Sequence, residues 1–323
     1  MRNGKHFSEN QVDEWGDGMK DDSILILGTG ALATLFASRL AKVGMSVSML
    51  GTWQEGLSSL NKNGARVEGE KQGYPVLATD DPAKCKGGRY ALVLVKSWQT
   101  RRAAEQLAVC LPEEGVALTL QNGLGNDSIL ASFLGWDRVA RGVTSMGATL
   151  LGPGLVSEGG IGPVTAEADK HTGTLEQVLR RAGFDVETVR DIQSRVWGKL
   201  VVSSAINPLT ALLRVKNGEL LENPPIKTIM RELACETAAV AESEGVKLPF
   251  AKPGDAAEEV AQRTAGNLSS MLQDVMRGAE TEIEAINGEV VRLAAAKNVS
   301  VPVNGAMVSL VNAIRVRGKI NLQ

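Results

Sequence analysis

The chain has 323 residues, 43% of them hydrophobic and 22% charged, which is enough apolar material for one large domain or two ordinary ones. Lys plus Arg number 35 and Asp plus Glu 37, a net charge of -2 that lacks the basic excess of a nucleic-acid binder. The expectation is that no apolar run is long enough to cross a bilayer, and Cys85, Cys110 and Cys235 form no CxxC pair, which points to reduced thiols rather than a zinc or disulfide framework.

The first segment, "MRNGKHFSENQVDEWGDGMKDD", is polar, lacks the apolar centre of a signal peptide, and reads as a disordered extension over residues 1–20. Met19 offers an alternative start directly before a strand. "SILILG" (Ser23–Gly28) is a short β-branched run ending in glycine. "ALATLFASRLAKVG" follows with helical spacing and Gly44 as its stop, and then "SVSML" as a second strand. "YALVLVKS" (Tyr90–Ser97) and "GVALTLQNG" (Gly115–Gly123) are further apolar runs suited to burial on both faces. Strands of this kind alternating with helices predict a parallel sheet covered on both sides.

Around "ARGVTSMGATLLGPGLVSEGGIGPV" the chain becomes glycine-rich and strand-like, which predicts a meander closing the edge of the sheet. Helical patterns then dominate: Val196–Leu213, Thr228–Glu244, Ala256–Met276, Thr281–Lys297 and a last one near Asn304–Val316. Prolines at 224–225, 249 and 302 separate them. The expected fold class is therefore α/β: a Rossmann-type parallel-sheet domain over 21–189, followed by an all-helical domain over 190–323.

"ILGTGALA" places Gly28-x-Gly30-x-x-Ala33 between a strand and a helix. Gly28 permits the tight turn, Gly30 lets the backbone approach a pyrophosphate, and Ala33 lets the helix pack closely on the strand. The helix start offers free N–H groups to phosphate, so Gly28, Thr29, Gly30, Ala31 and Leu32 are the expected cofactor loop; the alternative is a plain strand–helix turn. After the second strand, "LGTWQ" carries neither the acidic residue of an NAD site nor the arginine of an NADP site. Thr52 can hydrogen-bond ribose or phosphate; Trp53 either covers the adenine or packs under the next helix.

Ligands of open parallel sheets bind beyond the carboxyl ends of the strands. Lys96 and Asn122 stand at two such ends. Each has a plain alternative, a solvated lysine and a turn asparagine before glycine. The apolar helix "VWGKLVVSSAINPLTAL" carries Lys199, Ser203 and Asn207 at spacings of four, a polar line on one face. Pro208 lacks an N–H and leaves a carbonyl open one turn back, near Ser204. A second polar stretch carries Asn267, Ser270 and Glu282; Glu282 falls within about 120° of the other two if the helix runs on past Gly278, and the plain alternative is ordinary exposed polar residues. Histidine is scarce: His6 and His171 sit in polar stretches outside any motif, which argues against a histidine triad or a histidine metal site.

With these segments, together with "LVLVKSWQT", "LTLQNGLGN", "RGVTSMGATLLGPG" and "NLSSMLQDVMRGAETEIEAINGEVV", the chain resembles the ketopantoate reductase (2-dehydropantoate 2-reductase) family from about Asp21 onward. The resemblance implies reduction of ketopantoate to pantoate by hydride transfer from NADPH, with NADH open, in pantothenate and coenzyme A biosynthesis. It implies Lys199 as general acid and Glu282 as the acidic residue at the substrate's hydroxyl end. Asn267 and Ser270 match the pair that holds the carboxylate and nearby polar atoms, and Asn207 and Asn217 match further substrate-side asparagines. Lys96 and Asn122 match polar residues at the junction of cofactor and substrate. Two departures stand out. Ser203 replaces the family's usual asparagine in the substrate site, and no arginine follows the second strand to take a 2′-phosphate.

The expected enzyme is cytoplasmic, a monomer or homodimer without metal, nucleic-acid or membrane partners, acting on a small 2-keto acid. The alternatives are a reductase of another 2-keto or 2-hydroxy acid, and a non-catalytic dinucleotide sensor. Lys199 and Glu282 speak against the sensor, which needs neither.

Overall fold

The computed structural model describes residues 23–85, 88–160, 162–168 and 172–317. The expected extension, His6 and His171 lie outside the described residues. The chain runs β1 (Ser23–Leu27), α1 (Ala31–Lys42), β2 (Ser46–Leu50), α2 (Gln54–Asn63), β3 (Arg66–Val67), β4 (Leu77–Thr79), β5 (Tyr90–Val93), α3 (Thr100–Cys110), β6 (Val116–Thr119) and α4 (Asn126–Leu134). It continues with β7 (Val139–Thr144), β8 (Gly147–Gly152), β9 (Leu155–Gly160), β10 (Val164–Glu167), α5 (Gly173–Arg181) and β11 (Val186–Val189). The helical half comprises α6 (Ile192–Leu213), α7 (Pro224–Ser243), α8 (Pro253–Arg263), α9 (Ser270–Met276), α10 (Glu289–Lys297) and α11 (Pro302–Arg317).

Among the described residues, eight strands form one sheet in the order β11-β10-β7-β6-β5-β1-β2-β4. All neighbours are parallel except β7 and β10. Alternation along β1 explains its apolar run from Ile24 to Leu27. Ile24 and Ile26 pack with Phe36 and Leu40 of α1 on one face, and Leu25 and Leu27 pack with Ala103 and Leu107 of α3 on the other. A strand covered on both faces has no position for a polar residue. The chain leaves β1 toward β2 on one side and returns to β5 on the other, so the strand order reverses between β1 and β5. This reversal opens a crevice at the carboxyl ends of the strands.

The glycine-rich stretch departs from expectation. It does not form a single edge meander: β9 pairs with β8 on one side and β3 on the other in a separate three-stranded sheet, while β10 and β11 return to extend the main sheet. Period-two patterning marks strands but does not say which sheet they join.

α6 is the axis of the helical half. Trp197, Leu200 and Ala211 enter one apolar cluster, and Val201, Ala205, Ile206 and Leu209 enter another. At 22 residues α6 is long and apolar enough to cross a membrane, which corrects the reading that no such run exists. Its burial under α7, α8, α9 and α11 gives its composition another cause, that of a core helix. The expected helix Ala256–Met276 is two helices, α8 and α9, separated by a cavity-facing loop at 264–269. Gly278, at φ +65°, prevents a continuous helix from Ser270 to Glu282.

Candidate active site

The crevice between the two halves holds a cavity of about 750 Å3. Its floor on the sheet side is the β1–α1 turn. Gly28 has φ +125°, and a Cβ there would meet the Leu94 carbonyl oxygen at 3.1 Å. A Cβ on Gly30 would meet nothing within 4 Å, so the backbone there faces open cavity. α1 follows Gly30 with no side-chain cap and no acidic residue in its first turn, which leaves its N–H groups available to an anion. Thr29, Ala31 and Leu32 line the same wall. These features suit a dinucleotide pyrophosphate. Thr52 is exposed and lines the cavity beyond β2. Trp53 lines it too, and its ring also covers Gly56 so closely that a Cβ there would sit 2.4 Å away, consistent with the packing role under α2.

A carboxylate network crosses the crevice. Glu282 is 5% exposed, and its Oε1 accepts the Ser97 N–H at 3.0 Å. Its Oε2 accepts from Asn122 Nδ2 at 3.2 Å and from Lys96 Nζ at 3.5 Å. Lys96 Nζ also lies 2.7 Å from Asp274 Oδ2, on α9. Burial pulls the Lys96 ammonium down, but the Glu282 and Asp274 charges outweigh it and raise its pKa. Burial raises the Asp274 carboxyl against the pull of Lys96. Asn122 is thus both the residue before a left-handed glycine and a hydrogen-bond donor. Gly123 has φ +83°, and a Cβ there would fall 2.2 Å from the Ala285 carbonyl oxygen. Gln121 and Asn126 hold this turn through Val95 O, Thr100 Oγ1 and Asn122 O.

Lys199 enters the cavity from α6, half-buried and with no hydrogen-bond or ion-pair partner among the described residues. Burial lowers its pKa to about 8, and the Glu282 charge opposes that shift. The ammonium is therefore an uncommitted donor aimed at cavity space.

Asn267 and Ser270 also line the cavity. Asn267 is exposed in the 264–269 loop and donates through Nδ2 to Gly159 O at 3.3 Å, and Ser270 opens α9. Ser203, Asn207 and Asn217 do not line it. Ser203 and Asn207 are half-buried on the Lys199 face of α6, further along the helix. Asn217 is tied to the cavity-facing 264–269 loop: its N–H donates to Asn267 O at 3.1 Å and its Nδ2 to Thr264 Oγ1 at 2.9 Å. Asp274 was missed from sequence, although it stands four residues after Ser270 on the same helical face. Only its contact with Lys96, 178 residues away, marks it.

Comparison with known proteins matches both halves of the chain. The family model described as "Ketopantoate reductase PanE/ApbA" matches residues 24–170, and its C-terminal counterpart matches 191–315. The 2-dehydropantoate 2-reductase of Archaeoglobus fulgidus is 36% identical over 305 residues, covering 92% of this chain and 99% of the relative. That of Halobacterium salinarum is 34% identical, covering 89% and 97%. The crystal structure of a ketopantoate reductase from Ralstonia eutropha JMP134 matches with TM-score 0.86 at 30% identity, covering 92% of this chain and 100% of that one. D-mandelate dehydrogenase, solved with NADH and anilino(oxo)acetate, shares the fold at TM-score 0.85 and 23% identity, covering 93% and 100%. Both halves of the chain match, and relatives above 30% identity run along nearly its whole length; this protein belongs to the ketopantoate reductase family.

Proposed function

We propose that this protein reduces ketopantoate to pantoate, with Lys199 as the proton donor. The observation that carries the reading is the Lys199 ammonium, unpaired among the described residues and lining the cavity, with the Glu282 carboxylate of the helical half anchored by Ser97 and Asn122 of the sheet half. Gly28, Thr29, Gly30, Ala31 and Leu32 hold the pyrophosphate of a nicotinamide dinucleotide, Thr52 meets its adenosine ribose, and Lys96 and Asn122 border its nicotinamide end. When bound, the reduced nicotinamide supplies the hydride.

As the keto carbon becomes tetrahedral, negative charge gathers on its oxygen. Lys199 stabilises that charge and gives up its proton there, completing the 2-hydroxy acid. A donor with a pKa near 8 remains largely protonated at neutral pH yet releases its proton more readily than an ordinary lysine. Glu282 lines the cavity as an acceptor for a substrate hydroxyl, and Asn267 and Ser270 supply hydrogen-bonding groups for the carboxylate. Ser203, Asn207 and Asn217 act behind this wall, shaping the helix and loop. NADPH is the expected donor by family; the absence of arginine after β2 leaves "LGTWQ" able to take NADH.

The test is loss of reduced-nicotinamide absorbance with ketopantoate, NADPH and NADH side by side, alongside a panel of other 2-keto acids. Turnover with ketopantoate supports the proposal. Turnover only with another keto acid would reassign the substrate, and cofactor binding without any turnover would return the sensor reading.

A further inference from the structure

Pro208 sits inside α6 and has no N–H to donate to the carbonyl of Ser204, four residues earlier. That carbonyl does not go unpaired. Asn287 Nδ2 donates to Ser204 O at 3.0 Å and to Asn304 Oδ1 at 2.9 Å. Asn304 Nδ2 in turn donates to Glu236 Oε2 at 2.8 Å, and Glu236 also accepts the N–H groups of Val303 and Asn304 at the start of α11. Both acceptors fix the orientation of the Asn287 amide, because a flipped amide would set its oxygen against Ser204 O.

Asn287 is fully buried, and its Oδ1 has no partner among the described residues. Burying an amide with an unsatisfied oxygen is costly where an apolar residue of similar size would avoid the cost. The two N–H bonds are what the amide adds. Asn287 lies in a π-helical turn, Glu284–Gly288, a widened helical turn that often accompanies functional sites. The same turn presents Ala285 O to the Leu124 N–H at 3.0 Å, docking the loop that carries Asn122.

The spacing connects this tether to the reaction. Lys199 stands five residues before Ser204, and Glu282 five residues before Asn287. Lys199 is thus about 7.5 Å from Ser204 along α6. We propose that Asn287 is a positioning residue: seated on the carbonyl that Pro208 leaves open, it sets the placement of Glu282 relative to Lys199. This rests on the reading of Lys199 as proton donor. Neither tethered residue touches the cavity; both act through the groups that do.

The experiment is a four-protein cycle: wild type, Pro208→Ala, Asn287→Ala and the double variant, with Lys199→Ala as reference. Pro208→Ala restores a helix N–H that competes for Ser204 O. Each single change is expected to lower kcat about ten-fold or more while cofactor affinity holds, because misplacement of reacting groups costs rate rather than dinucleotide binding. Each should also move the basic limb of the kcat–pH profile to lower pH. The charge facing Lys199 is Glu282, itself paired with Lys96 and in turn Asp274, and loosening it favours the neutral amine. Loss of the second partner should add little to loss of the first. Additive effects, or lowered thermal stability with kcat and the basic limb unchanged, overturn the inference. If Asn287→Ala does not fold, Pro208→Ala alone decides by the same limb. Undiminished turnover in Lys199→Ala would instead overturn the donor reading.

Discussion

Lys96 and Asp274 are 178 residues apart in sequence and 2.7 Å apart in the structure, the closest charged contact between the sheet half and the helical half at the cavity. Asp274 is 5% exposed, and Lys96 is the main opposite charge that faces it, with Arg277 adding to the pull. Asp274→Asn keeps the shape and removes the charge. Lys96 is then left to Glu282 and draws it away from Asn122. We expect kcat/KM for the keto acid to fall about ten-fold, carried mainly by KM, since a displaced substrate-side carboxylate weakens ground-state binding. Steady-state kinetics at wild-type values would sink the linkage.

The donor assignment predicts a pH profile. Lys199 must be protonated to act, and its pKa lies near 8, so turnover should decline as pH rises through about 8. Glu282→Gln removes the charge that opposes the burial shift, and the basic limb should then move to lower pH. A limb that moves upward, or stays fixed, contradicts the electrostatic pairing of these residues. Lys199→Ala should reduce kcat by at least about 100-fold with dinucleotide affinity retained, the scale of a lost general acid.

Two glycines in one turn should behave oppositely. At Gly30 an added Cβ meets only open cavity, so Gly30→Val should leave thermal stability close to wild type and weaken dinucleotide binding sharply. At Gly28 the φ of +125° and the nearby Leu94 carbonyl make Gly28→Ala destabilising, on the order of 1–3 kcal/mol. Melting curves and cofactor titration of the two variants read this directly. Equal behaviour would mean the loop does not approach a ligand at Gly30.

Thr52 lines the cavity beyond β2, and we expect cofactor choice to respond to a change there. Thr52→Arg places a guanidinium beyond β2, where a 2′-phosphate would lie. The ratio of kcat/KM for NADPH over NADH should rise about ten-fold, equivalent to about 1.4 kcal/mol. An unchanged ratio would show that the 2′-position is read elsewhere.

In the sheet half, Phe36 is fully buried and stacks on Phe184 with ring centroids 4.2 Å apart. Phe36→Ala should cost about 3–5 kcal/mol, measured by urea unfolding of the purified protein.

Sequence by itself determined what local periodicity encodes. Strands β1, β5 and β6 were legible because a strand buried on both faces is apolar over most of its length, and α6 because apolar residues dominate it around a single polar line. The glycine loop was legible because a tight turn and a close backbone approach leave few other residue types possible. Even the open carbonyl at Ser204 was readable, since proline has no N–H; its occupant was not. Tertiary structure alone decided the rest. It assigned β8 and β9 to a second sheet, broke the second polar helix at the 264–269 loop and at Gly278, and left Ser203 and Asn207 off the cavity wall although they share the Lys199 face. It also seated Glu282 against Ser97 and Asn122, 185 and 160 residues away. A residue's face follows from its immediate neighbours. Which distant faces meet depends on how the whole chain packs, and no short stretch of sequence carries that information.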